Sequence, residues 1–62
     1  MKTMIVNYIN GNISTARRQA KRFTMSAISD ELQTGWGFEP RKAWLVANYL
    51  KTGEGWQEAC DA

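Results

Sequence analysis

Hydrophobic side chains recur along this chain at spacings of three and four residues, and Gly, Asn, Thr and Pro positions divide them into four or five runs. Such spacing gathers side chains on one face of an α-helix, whereas a half-buried strand alternates strictly. The pattern predicts an all-α fold, a small bundle of four or five short helices. Thr3 to Asn10 is the ambiguous run: Met4, Val6 and Tyr8 alternate, while Met4, Ile5, Tyr8 and Ile9 recur at helical spacing. Helix is preferred because Thr3 can cap its start and Asn10-Gly11 suits a left-handed exit. A lone strand would also leave its backbone edge unpaired unless a second chain supplied the partner.

A second helix is predicted from Ile13 or Ser14 to Phe23, capped by Asn12 or Ser14. Ile13, Ala16, Ala20 and Phe23 form its apolar stripe, and Arg17, Arg18, Lys21 and Arg22 form a separate basic face. Met25, Ile28 and Leu32 mark a third helix that starts after Thr24 or Ser26 and leaves through Gly35. Trp36-Gly37-Phe38 then reads as a loop, and Pro40 as the first residue of a fourth helix, where a missing N–H costs nothing. Ala43, Trp44, Leu45, Val46, Ala47, Tyr49 and Leu50 nearly encircle that helix, from 40 to about 51. A helix apolar nearly all round belongs at the centre of a domain or in an oligomer interface, so Trp44 is expected in the core. Thr52-Gly53 ends it, and Trp56, Ala59 and Cys60 define a short C-terminal helix pinned by one aromatic.

Sixty-two residues suffice for a single domain, 1–62, with a modest core. A lone cysteine, Cys60, forms no internal disulfide and suits a reducing compartment; it reads as a small packing residue. The short apolar run at Met4 to Val6 is unlike a signal-peptide core, and no stretch approaches a membrane span, so a cytoplasmic protein is expected. The formal net charge is +2, but its halves differ. Residues 1–25 carry Lys2, Arg17, Arg18, Lys21 and Arg22 with no acid. Residues 26–62 carry Asp30, Glu31, Glu39, Glu54, Glu58 and Asp61 against Arg41, Lys42 and Lys51.

With no histidine, Ser-His-Asp and Cys-His catalytic arrangements are excluded, and one cysteine makes no thiolate zinc site. Gly35-Trp36-Gly37 and Gly53-Glu54-Gly55 extend to neither a Walker loop nor a dinucleotide fingerprint. The carboxylates form no evident pair for acid–base work. No catalytic residue, metal ligand or cofactor is assigned. The candidate site is the basic face of Arg17, Arg18, Lys21 and Arg22, whose i, i+4 pairs point the same way. Ordinary solvated surface, or pairing with the acidic second half, would use the same charges. Trp36 and Phe38 are candidate aromatic anchors; for Trp36, covering the small core is the preferred reading.

Tyr8 to Asn12, Ala16, Ala20-Lys21-Arg22, Ala43, Tyr49 to Gly53 and the closing Trp56 to Ala62 resemble small reading frames of bacterial phages and plasmids, a group without an assigned activity. The resemblance implies a bacterial cytoplasm and no mechanism. Leu32 to Phe38 followed by Ala43 resembles, at the level of fold, the helix, Gly-Phe loop and helix of ubiquitin-associated-type three-helix domains. Trp36 stands where that family has Met before Gly-Phe, and no ubiquitin-binding function is carried over. The expected function is binding without catalysis, by a monomer or homodimer, with an acidic protein surface as first partner. The alternative is a DNA- or RNA-binding regulator. Its ribbon-helix-helix version would make Thr3 to Ile9 an intermolecular strand.

Overall fold

The computed structural model describes residues 1–61, and over them the chain forms five α-helices. These are α1 (Lys2–Ile9), α2 (Ile13–Ala20), α3 (Met25–Trp36), α4 (Pro40–Thr52) and α5 (Trp56–Asp61). Among the described residues no strand is present, so the ambiguous N-terminal run is helical. It begins one residue before Thr3, and no side chain caps it.

Local chemistry explains most boundaries. Gly11, at φ +86°, takes the left-handed position after α1 that side chains resist. The Oγ1 of Thr24 accepts a hydrogen bond from the Ala27 N–H at 3.1 Å, giving α3 a side-chain cap on an otherwise orphaned amide. Glu39 caps α4 by accepting from the Arg41 N–H, with Pro40 in the first turn.

Two boundaries differ from the sequence expectation. Helix α3 runs through Gly35 and leaves at Gly37, whose N–H donates to the Gln33 carbonyl while the Phe38 N–H donates to that of Leu32. Choosing Gly37 as the left-handed residue puts Phe38 next in the chain, where it packs against the core; such a contact commonly accompanies this exit. Trp36 thus belongs to the last turn of α3 and not to a loop. Helix α2 in turn stops at Ala20. The Arg22 and Phe23 N–H groups donate to Gln19 and Ala20, three residues back, tightening the chain before Thr24 begins the next helix.

The core draws on every helix: Met4 and Ile5, Ala16 and Ala20, Ile28 and Leu32, Ala43, Val46, Ala47 and Leu50, and Ala59. Helix α4 lies at its centre, packed against α2, α3 and α5, while α1 packs on α2. The Asn7 side chain of α1 donates to Gln19 of α2 at 3.0 Å, and the Asn12 N–H donates to the Asn7 carbonyl at 2.8 Å. Inside α3 the buried hydroxyl of Ser29 accepts from Gln33 at 3.1 Å, which satisfies a polar atom that would be costly to bury alone.

Trp44 is not in the core: it is 48% exposed. Ala43, Val46, Ala47 and Leu50 form a single stripe, and Trp44 stands roughly 100° further round the helix. Small Ala43 and Ala47 lie in this stripe with Val46 and Leu50, while Leu45 and Tyr49 are only partly buried. Trp56 is 47% exposed and lies against Tyr49, ring centroids 4.8 Å apart. Cys60 is exposed, so the packing role expected of it falls to Ala59.

Burial raises the pKa of Tyr8 above its ordinary value of 10.0, with Cys60 and Tyr49 adding smaller contributions of the same sign. A raised phenol favours the folded state while it stays protonated, and that stability is lost as pH rises from the unfolded value through the folded one.

Leu32→Ala is expected to cost about 2 to 5 kcal/mol, enough to unfold so small a domain, because Leu32 is fully buried. Trp44→Ala, cutting a half-exposed side chain, is expected to cost less than half as much; urea unfolding of both variants checks the ranking. In alkaline melts, Tyr8→Phe should lose less stability above pH 10 than wild type, and identical slopes would contradict the assignment to Tyr8.

Candidate functional site

The basic residues predicted from the sequence lie around the C-terminal half of α2, but they do not form one face. Arg17, Arg18 and Lys21, with Ser14, line an open depression of about 330 Å³. Arg22 instead lines a smaller hollow of about 120 Å³ with Met1, Thr3, Met4, Gln19 and Phe23. Arg22 follows the end of α2, in the tightened turn where its N–H donates to the Gln19 carbonyl.

Each residue around the larger depression is held differently. Arg18 is exposed, and its Nη2 donates to Thr15 Oγ1 at 3.3 Å, a neighbour on the same helix and not a carboxylate. Lys21 is exposed at the C-terminal end of α2. Arg17 is half-buried and reaches across to the end of α4, where its guanidinium lies over Gly53. A Cβ at position 53 would fall 2.7 Å from the Arg17 Cζ, so any other residue there would displace the guanidinium from this position. Gly53 is also left-handed, at φ +79°. One glycine therefore both ends α4 and admits the arginine.

This placement has two opposed energetic consequences. A cation beside a helix C-terminus is favourable, typically by about 0.3 to 1 kcal/mol. The Arg17 Nε, however, is buried and has no hydrogen-bond partner. An unsatisfied buried donor costs about 1 to 3 kcal/mol, so the second effect is at least as large as the first. No side chain lining the depression is acidic, and three of the four carry a positive charge. The arrangement suits an anion held by several charge-assisted hydrogen bonds.

The α2 N-terminus adjoins Ser14, a first-turn residue, and the Asn12 N-cap side chain makes no capping hydrogen bond. Its hydrogen bond goes to Asn7 Oδ1 at 3.4 Å instead. The positive end of α2 is therefore not neutralised by a side-chain acceptor.

The aromatic candidates separate. Trp36 is 36% exposed at the end of α3, while Phe38 is half-buried against the core. Neither lines either depression. Two surface tryptophans that sequence reasoning did not single out as exposed, Trp44 and Trp56, show more area than Trp36. The signal that finds Trp44 is the size contrast with Ala43 and Ala47, visible only if those alanines are taken as the packing stripe.

Among the described residues no group of three or more His, Cys, Asp or Glu is placed to hold a metal ion. No helix among them is long and apolar enough to cross a membrane. The chain matches no protein-family model, no curated protein and no solved structure.

Arg17→Met keeps much of the side-chain volume and removes the unpaired Nε. It is expected to be as stable as wild type or up to about 2 kcal/mol more stable in urea unfolding. A loss above about 1 kcal/mol would instead make the guanidinium a structural support of the α4 terminus.

Proposed function

We propose that this domain is a non-catalytic binding module that engages an acidic protein surface through Ser14, Arg17, Arg18 and Lys21. The phage and plasmid setting suggested by the sequence makes it an accessory factor acting on a host or defence protein of a bacterial cell. One observation carries the reading: three cationic side chains converge on one depression with no acidic residue in its lining. Arg17 also carries a buried Nε without a hydrogen-bond partner, a departure from local consistency. Departures from local consistency concentrate at functional positions.

The nucleic-acid alternative draws less support from the same geometry. A protein that follows a phosphate backbone spreads its cations along a path, and affinity grows with the number of phosphates neutralised. Here three cations converge and the fourth, Arg22, lines a different hollow. The helical N-terminus also removes the strand on which a ribbon-helix-helix dimer would rest.

The test is affinity capture from nuclease-treated bacterial lysate with wild type and an Arg18→Glu/Lys21→Glu variant. Both positions are exposed, so the variant is expected to fold. A protein partner retained after nuclease and lost with the variant is the expected result. Loss of every specific partner on nuclease treatment would transfer the assignment to nucleic acid, and equal capture by both chains would remove the depression from the binding surface.

A further inference from the structure

We infer that the depression at Ser14, Arg17, Arg18 and Lys21 is a site for a phosphate monoester, and that such a group is the anionic feature the domain recognises. The inference rests on the binding reading above and narrows it from acidic surfaces in general to one functional group.

Charge is the first argument. Two arginines and one lysine line the depression, and its lining supplies no carboxylate to offset them. A carboxylate brings one negative charge and two acceptor oxygens. A phosphate monoester brings about −1.5 to −2 at neutral pH and three strong acceptor oxygens, a closer match to three cations. Arginine's planar fork also fits phosphate in the bidentate manner that lysine's point charge does not, and both donor types are present.

Organisation is the second argument. Arg18 is tethered by Thr15, and the guanidinium of Arg17 is seated over Gly53, so neither arginine is ordered by the ligand alone. Ordering a long side chain on binding costs about 0.5 to 1.5 kcal/mol, and restraint before binding reduces that cost. Ser14 adds a hydroxyl at the edge of the depression, in the first turn of α2. The volume of about 330 Å³ admits a tetrahedral group with part of the molecule carrying it.

The experiment is a set of titrations of the ¹⁵N-labelled full chain at constant ionic strength, followed through backbone amides and arginine Nε–Hε signals. Inorganic phosphate should give saturable shifts centred on Ser14, Arg17, Arg18 and Lys21, with affinity about tenfold or more above that for acetate. Arg18→Met and Lys21→Met, at exposed positions, should each weaken phosphate about tenfold, the effect of losing one charge-assisted hydrogen bond. Linear shifts like those from chloride, or acetate binding as tightly as phosphate, would overturn the inference. So would unchanged phosphate affinity in both variants.

A phosphoserine peptide, its glutamate counterpart and a nucleoside monophosphate separate the possible sources. Tighter binding of the phosphoserine peptide supports both the site and the protein-binding reading. A nucleoside monophosphate binding tightest would keep the phosphate monoester site while overturning that reading. Equal binding of the glutamate and phosphoserine peptides would overturn the phosphate inference and leave the acidic-surface reading standing.

Discussion

The seam between α3 and α4 is the contact on which the rest of this domain depends. Ile28 and Leu32 supply large aliphatic side chains to it, while Ala43 and Ala47 carry little more than backbone, with Val46 and Leu50 filling the same core. Large residues facing small ones allow two helices to pack at interior density without displacing either backbone. Every other element reaches the core through α4 or through a helix already packed on it: α2 and α5 on α4, and α1 on α2. A chain this short builds no second layer, and its widest extent is only 23 Å. The bulky aromatics Trp44 and Trp56 remain half-exposed at the surface.

The same economy links fold and site. Gly53 ends α4 in a left-handed conformation, and the absence of a Cβ there opens the space that the Arg17 guanidinium occupies. The depression on α2 therefore depends on how α4 stops. Were α4 to end at a residue with a side chain, Arg17 would have to leave that position and the three cations would no longer be arranged as they are. The left-handed end of α4 and the buried, unpaired Nε of Arg17 are separate local irregularities, and both belong to the Arg17–Gly53 contact between α2 and α4. Their coincidence directs attention to α2 more strongly than the count of basic residues does.

Much was legible along the chain because it depends on near neighbours. Apolar spacing of three and four identifies the helices, including the N-terminal one, and Thr24, Pro40 and Gly53 mark boundaries through hydrogen bonds and backbone conformations that span a few residues. The basic residues at 17, 18, 21 and 22 and the lack of histidine are likewise plain in the sequence. What tertiary structure alone decided is which of several locally acceptable choices packs best. Gly35 and Gly37 could each end α3, and Gly37 prevails because it delivers Phe38 to the core. The fourth helix is apolar nearly all round, and the alanine stripe turns inward because α3 approaches there, leaving Trp44 outside. Arg22 lines a different hollow from Arg17, Arg18 and Lys21, and Arg17 acquires its seat from a glycine 36 positions away in the chain. Local patterns constrain conformation through neighbours a few residues apart, whereas burial and the convergence of charges depend on contacts that exist only after the helices pack.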